Sequence, residues 1–120
     1  MSDPLGTGIP VFAAAPVRGV WRMLHTPDNV LELMDDTAEG VIAGVQDAGA
    51  TFLAPIFDEL AAVVCMSGTP VSHIGIVSRE YQVPCIMSAT FDAVPADGTL
   101  VEVDCTAEPG VVRAAVPGAS

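Results

Sequence analysis

One histidine stands where an apolar run gives way to a predicted helix, and its surroundings suit phosphoryl chemistry. His73 follows Ser72 and a loop that contains Gly68 and Thr69. A neutral imidazole is a nucleophile near physiological pH. A phosphoryl group attached to it would lie against the free N–H groups at the start of a helix that begins after Ser72. This order of residues predicts a site that accepts a phosphoryl group on His73.

Three residues of the loop before His73 are expected to contribute to such a site: Gly68, Thr69 and Ser72. Gly68 would let the backbone pass close to an incoming phosphoryl group. Thr69 and Ser72 carry hydroxyls that can contact phosphoryl oxygens. Ser72 suits a helix cap equally well, and both interpretations stay open.

Two charged residues follow on the same helix, and we expect them to support the site rather than to react. Arg79 comes six residues after His73, so the two do not share a helix face. Arg79 and Glu80 are therefore predicted to be structural or to face a partner. No convincing cluster of carboxylates lies near His73, so no metal site is predicted in this chain.

The three cysteines are odd in number and widely spaced, with no C-x-x-C pair: Cys65, Cys85 and Cys105. This spacing favours reduced, mostly buried thiols over disulfides or a zinc site. A thiol nucleophile at Cys65, paired with His73, is the lesser alternative, because its place in an apolar run predicts burial.

The elements that must position the site are short strands separated by helices. Apolar runs predict strands over residues 19–24, 41–45, 61–66, 85–87, 100–104 and 111–113. Helices are predicted from Thr26 through Met34 and from Ser72 to Gln82, with a short helical segment over 51–57. Ile76, Val77 and Tyr81 are expected to form the apolar face of the second full helix. The pattern predicts a mixed α/β class with a compact β-rich core.

Length and composition indicate one folded domain. The chain has 120 residues, of which 51% are hydrophobic and 16% charged, and such a composition argues against disorder. Residues 1–15 are expected to be a Gly/Pro-rich lead-in, with a possible short strand over 11–15. Residues 16–115 are expected to form the domain, and 116–120 a frayed tail.

The charge balance excludes several classes of function. The chain contains fifteen acidic residues, four arginines and no lysine, which gives a net charge of −11. Such a chain is not expected to bind nucleic acid or an anionic membrane. The absence of lysine also excludes a P-loop lysine and Schiff-base chemistry. No uninterrupted apolar run suits a membrane span, and no basic leader is visible, so a cytoplasmic location is expected.

The segment from Cys65 to Pro84 resembles the phosphohistidine, or swivelling, domain of phosphoenolpyruvate-utilising enzymes. That family includes pyruvate phosphate dikinase, phosphoenolpyruvate synthase and phenylphosphate synthase, and its pattern is roughly T-x-x-G-G-x-[ST]-S-H-A-A-I-V-A-R-E-x-G-I-P. The matching residues are Gly68, Ser72, His73, Ile76, Val77, Arg79, Glu80 and Pro84. Looser similarity extends over residues 16–112.

The resemblance implies a fold and an activity. The fold would be a compact β/β/α swivelling-domain sandwich. The activity would be that of a phosphoryl-carrier subunit in a multi-subunit phosphotransferase that uses ATP or phosphoenolpyruvate, inactive alone. His73 would be phosphorylated by an ATP-grasp-like nucleotide-binding subunit, which would hold ATP and Mg²⁺, since this chain would bind neither stably. An acceptor subunit or domain would then present a phenol, a ketone enolate or pyruvate.

The chain departs from the family pattern around the histidine. Cys65 stands where the family has Thr, Thr69 replaces the second Gly, and Val71 replaces a hydroxyl residue. Ile74-Gly75 replaces Ala-Ala. These changes suit an unusual acceptor. They also motivate an alternative function, a non-catalytic module that holds or regulates a partner, with His73 vestigial. An exposed His73 would favour the carrier, and a His73 buried under Ile74 or Val71 would favour the module.

Overall fold

The structure, a computed structural model, describes residues 5–35, 40–47, 53–69 and 71–115. Within these ranges the strands are β1 (Gly6–Pro10), β2 (Ala14–Met23), β3 (Val41–Val45), β4 (Ala62–Cys65), β5 (Cys85–Phe91), β6 (Leu100–Cys105) and β7 (Gly110–Ala114). The α-helices are α1 (Pro27–Asp35) and α2 (His73–Tyr81), and a 3₁₀ helix spans Ala54–Glu59.

The described strands form one closed barrel in the order β1-β5-β4-β3-β2-β6-β7. Strands β2, β3, β4 and β5 pair in parallel, and the other pairs are antiparallel. Closure comes from β1, which pairs with β5 on one side and with β7 on the other. The prediction of a β/β/α swivelling-domain sandwich is therefore wrong. A sandwich needs separate sheets with free edges, whereas a closed barrel leaves no edge strand.

The predicted lead-in over residues 1–15 is also wrong where the structure describes it. Residues 6–10 form β1, and β2 already begins at Ala14. This segment forms a strand in spite of its Gly/Pro-rich composition. Close packing against the neighbouring strand, and not the geometry of a loop, requires glycine here. A Cβ atom on Gly8 would come within 2.6 Å of the Met87 carbonyl oxygen and of the Ile86 side chain. The proposed tail over 116–120 lies outside the described residues.

Strands β3 and β4 are buried on both faces along their whole length, which explains their continuous apolar runs. One face points into the barrel, where Ile42, Val64 and Ile86 pack with the edge-to-face pair Trp21 and Phe91. The other face packs against the helices. There Val63, Cys65 and Met87 join side chains of α1, the 3₁₀ helix and α2 in a second core: Val30, Leu33, Ile56, Phe57 and Ile74.

Most of the predicted elements are confirmed within a few residues. The second α-helix is right in extent, but its buried face is not the predicted one. Ile74, Gly75 and Ser78 face the core, whereas Ile76 and Tyr81 are more than half exposed. Val77 is only partly buried against the core. In the described ranges, none of the helices has the length and apolar character that a membrane crossing requires.

Candidate functional site

The candidate site lies at the carboxyl ends of the parallel strands, where β4 leads into α2. In folds with parallel strands this edge is the common position of ligand sites, because several loops meet there. The Ser67 hydroxyl donates a hydrogen bond of 2.6 Å to the carbonyl of Gln46, which follows β3. The Ser88 amide of β5 donates to the Ser67 carbonyl. These bonds fix the start of the loop to both neighbouring strands.

Gly68 turns the chain away from β4 in a backbone conformation that favours glycine. Its φ is +78°, in the left-handed region where a Cβ atom is strained. The sequence expectation that this position needs glycine is consistent with that geometry. Gly68 itself is exposed, so its backbone is open to an approaching group.

His73 is the first residue of α2, and its side chain is exposed. The Ile76 amide makes the first helical bond, to the Ser72 carbonyl at 3.0 Å. The amides of His73, Ile74 and Gly75 therefore precede the first bond of the helix. Such leading amides, with the positive end of the helix dipole, favour an anion at this point. The arrangement leaves the imidazole exposed and places it at a helix start that favours an anion.

Ser72 occupies the N-cap position, but its hydroxyl does not cap the helix. The Ser72 hydroxyl oxygen instead accepts the Thr69 amide at 2.9 Å, and the Thr69 carbonyl accepts the Ser72 amide at 2.9 Å. The Thr69 hydroxyl oxygen accepts the Val71 amide at 3.3 Å. Both hydroxyls thus shape the loop through their oxygens, and contact with a phosphoryl group stays a prediction for each.

Arg79 and Glu80 are adjacent in sequence but make different contacts. The Arg79 guanidinium donates a 2.8 Å hydrogen bond to the carbonyl of Val11, between β1 and β2. It therefore fixes α2 to the barrel and agrees with the supporting role expected of it. Glu80 is exposed. It comes seven residues after His73 and lines the same surface groove as the histidine.

The three cysteines are free thiols buried in the cores. Burial raises the pKa of Cys85 to about 12 and that of Cys105 to about 11. Burial also raises the pKa of Cys65, although hydrogen bonds from Ser67 oppose the shift. A raised pKa keeps each thiol protonated near neutral pH, so the lesser alternative of a Cys65 nucleophile has no support here.

A partly open groove of about 190 Å³ adjoins His73. Its walls come from two elements. Leu53 and Phe57 line one side, and α2 supplies the other side with His73, Val77, Glu80 and Tyr81. The rings of Phe57 and Tyr81 lie 5.9 Å apart at an interplanar angle of 31°. Sequence reasoning missed this groove, because residues 53–57 and α2 come together only in the fold and no motif marks the pair.

Among the side chains that are described, no three His, Cys, Asp or Glu residues are grouped so as to hold a metal ion. The expectation that Mg²⁺ and ATP reach the site through a partner remains a prediction.

Comparison with known proteins identifies the chain's relatives. Residues 37–108 match the family model described as PEP-utilising enzyme, mobile domain. The chain is 40% identical over 103 residues to an uncharacterised protein of Mycobacterium tuberculosis strain H37Rv and to one of Mycobacterium bovis. These matches cover 82% of this chain but 11% of each relative, so the chain spans about a tenth of their length.

Two further matches support narrower conclusions, because one covers less than half of the chain and the other has low sequence identity. A chondramide synthase of Chondromyces crocatus is 42% identical over 59 residues, covering 48% of this chain and 2% of that protein. The solved structure of RraAS2 from Streptomyces coelicolor, an unusual member of the RNase ES inhibitor RraA family, has a TM-score of 0.58. It covers 92% of this chain and 71% of that one at 17% identity, which shows a shared fold alone. Because the family model of the PEP-utilising enzyme mobile domain matches more than half of the chain, the chain belongs to the mobile-domain family of phosphoenolpyruvate-utilising enzymes.

Proposed function

We propose that this chain is the phosphoryl carrier of a phosphotransferase that uses ATP or phosphoenolpyruvate, with His73 as the residue that is transiently phosphorylated. One observation carries the proposal. His73 is exposed as the first residue of α2, five residues after the turn at Gly68, in a chain of the mobile-domain family. A vestigial histidine in a holding module would have no need of this exposed position at a helix start.

The transfer has two balanced steps. An imidazole nitrogen of His73 attacks the donor's terminal phosphorus, so that a P–N bond forms and the donor's P–O bond breaks. The imidazole loses one N–H proton to solvent. In the second step, an acceptor oxygen attacks the same phosphorus, the P–N bond breaks, and the imidazole regains a proton. The chain's own contribution is to hold the imidazole open and to stabilise the phosphoryl anion at the start of α2.

The positive charge that phosphoryl transfer requires would come from a partner. The sequence has no lysine and four arginines. Arg18 and Arg113 form ion pairs with Glu102, and Arg113 also with Asp104, on strands β2, β6 and β7. Arg79 binds the Val11 carbonyl, and Arg22 lies on β2 with a buried Nε that has no hydrogen-bond partner in the described part of the chain. We therefore propose a partner of the ATP-grasp type that supplies Mg²⁺, nucleotide and basic side chains, which an acidic carrier would attract.

The experiment is partner-dependent labelling followed by intact-mass spectrometry at alkaline pH. The purified chain is incubated with Mg²⁺, extract of the source cells, and either ATP or phosphoenolpyruvate. We expect a gain of about 80 Da, one phosphoryl group, from one of the two donors, with the gain reversed by acid. His73→Ala should abolish the gain.

The matched control is the second histidine. His25 is also exposed, so His25→Ala removes an imidazole without touching the site. A gain that persists in His73→Ala but disappears in His25→Ala would refute the proposal. A chain recovered in complex with an active nucleotide-binding partner, yet unlabelled by either donor, would favour the non-catalytic module.

A further inference from the structure

We infer that the groove between the 3₁₀ helix and α2 is the docking site of the nucleotide-binding partner. The occupant is a segment of the partner that inserts one large apolar side chain into the groove and places basic side chains beside it. The inference rests on the proposed function, because that function requires a partner. It adds the contact surface on the carrier and the chemistry of the segment that fits this surface.

The groove has the size and the lining of a pocket for one side chain. Its apolar wall comes from four side chains: Leu53, Phe57, Val77 and Tyr81. An apolar cavity of about 150 Å³ takes up benzene, and the groove offers about 190 Å³. A leucine, methionine or phenylalanine side chain therefore fits. Such anchors, seated in apolar pockets, supply much of the binding energy at protein interfaces.

Tyr81 shows that the wall of the groove is only partly covered in the isolated chain. The Tyr81 ring packs 5.9 Å from that of Phe57, yet Tyr81 is 54% exposed. An inserted side chain would remove part of this ring from water, and the burial of apolar surface favours association.

The charges around the groove are negative and are not neutralised by the described residues. Glu80 lines the groove, and Asp58 and Glu59 are exposed on the 3₁₀ helix that forms its other side. The ion pairs of the described residues lie on β2, β6 and β7 instead. Arg79 of α2 donates to the Val11 carbonyl. Basic side chains of a partner complement this surface, whereas a second copy of this chain, with its net charge of −11, would bring like charge.

The groove runs along α2 from His73, so a docked segment lies near the imidazole that we propose to be phosphorylated. His73, Val77, Glu80 and Tyr81 follow one another at spacings that place them on one side of the helix. Eight residues separate His73 from Tyr81, which is about 12 Å along a helix axis. A partner held beside Tyr81 can therefore present its phosphoryl donor to His73.

Three short peptides test the occupant with the full chain. The first is acetyl-Arg-Leu-Arg-amide, the second has Ala in place of Leu and lacks the anchor, and the third is acetyl-Glu-Leu-Glu-amide, with reversed charge. Nuclear magnetic resonance follows the ring signals of Tyr81, the one tyrosine of the sequence. We expect saturable shifts with the first peptide and binding weaker by about tenfold for each of the others, from lost apolar burial and from repulsion. No saturable shift with the first peptide, or equal binding of either of the others, would overturn the inference.

Two pairs of variants locate the contact, with the amide signals of α2 as the measurement. Tyr81→Ala should weaken binding of the first peptide by about fivefold, and Ile76→Ala, at an exposed position of α2 outside the groove, should not. Glu80→Gln should weaken it by about threefold, and Glu32→Gln, at an exposed position of α1, should not. Equal effects within either pair would exclude the groove.

Competition connects the groove with the partner. In the extract assay of the proposed function, acetyl-Arg-Leu-Arg-amide should slow the labelling of His73 more than acetyl-Arg-Ala-Arg-amide does, because the two peptides carry the same charge and only the first fills the groove. Equal slowing by both peptides would show that the partner does not use this groove.

A chemical donor separates this inference from the proposed function. Phosphoramidate can phosphorylate histidine without a partner. If His73 takes up phosphate but the peptides do not bind in the expected order, the docking assignment fails and the carrier role stands. If the peptides bind in that order but neither phosphoramidate nor the extract phosphorylates His73, the groove is a docking site and the carrier role fails.

Discussion

Ser72 and His73 are neighbours with different tasks. The Ser72 hydroxyl oxygen accepts the Thr69 amide at 2.9 Å and so closes the loop, while the exposed His73 side chain makes no contribution to either core. At the scale of single residues, the group that shapes the loop is therefore separate from the group that we propose to be phosphorylated.

This separation predicts different effects of substitution. Ser72→Ala should lower the free energy of unfolding by about 0.5–1 kcal/mol, because the Thr69 amide loses its acceptor. His73→Ala should change it by less than about 0.5 kcal/mol, as is usual for surface positions. Urea denaturation measures both. Ser72→Thr keeps the hydroxyl and is the control, and a His73→Ala loss as large as that of Ser72→Ala would contradict the assignment.

The buried thiols predict a dependence of stability on pH. Folding raises the pKa of Cys85 to about 12 and that of Cys105 to about 11, from an ordinary value of 9.0. A group with a raised folded pKa stabilises fully below its unfolded pKa, and this contribution is lost as pH rises toward the folded value. We therefore expect the free energy of unfolding to fall between about pH 9 and 12.

Denaturant titrations across that range provide the measurement. Cys105→Ala removes one of the titrating thiols and should make the decline shallower. A decline of the same slope in Cys105→Ala, or a stability that does not fall above pH 9, would show that the thiols are not buried as described.

At the scale of elements, different contacts fix the first turn and the last turn of helix α2. The core contacts of Ile74 fix its first turn, and the Arg79 guanidinium fixes its last turn to the Val11 carbonyl. Gln82 ends the helix in the left-handed conformation, with its amide bonded to the Arg79 and Ser78 carbonyls. The start of α2, and with it His73, is thereby kept in a fixed position on the barrel.

Loss of the Arg79 contact should loosen that position. We expect Arg79→Ala to lower the free energy of unfolding by about 1.5 kcal/mol, the lower end of the range for a hydrogen bond with a charged group, because Arg79 is exposed. Glu80→Ala, which changes the adjacent exposed residue, should have little effect. Thermal unfolding followed by circular dichroism compares them, and equal melting temperatures for the two variants would exclude an anchoring role for Arg79.

The elements show why sequence reasoning succeeded in some places and failed in others. The strands over Val41–Val45 and Ala62–Cys65 are evident from their apolar runs, because burial on both faces leaves no polar position. The face of α2 could not be assigned, because small and polar residues, Gly75 and Ser78, pack against the core while Ile76 is exposed. Periodicity of apolar residues reports the buried face only when the core demands apolar side chains there.

At the scale of the whole molecule, closure of the barrel depends on a segment that does not look like a strand. Strand β1 contributes two glycines and a proline, yet it pairs with both β5 and β7. The family pattern around His73 predicts a site at the start of α2 but gives no information on this pairing. Contacts between strands at opposite ends of a sequence leave no local signal, so the closed barrel could not be predicted from the sequence.

Removal of residues 1–10 should therefore open the barrel. Strands β5 and β7 would each lose a partner, and Ile86 and Val112, both fully buried, would become accessible. We expect the truncated chain to lose its cooperative thermal transition and to bind a hydrophobic dye. Ile9→Thr, a change at an exposed position of β1, is the control and should keep the transition. An unchanged melting temperature after truncation would contradict closure by β1.

The central claim is that the phosphoryl group forms a P–N bond on His73, and phosphorus NMR of the labelled chain at alkaline pH tests it most directly. Ser72 is the adjacent alternative, and a phosphate ester on its hydroxyl would resist acid where a phosphohistidine would not. We predict one phosphoramidate signal, lost on acidification, absent from His73→Ala and retained in Ser72→Ala and His25→Ala. An acid-stable ester signal, or a signal that survives in His73→Ala, would contradict the claim.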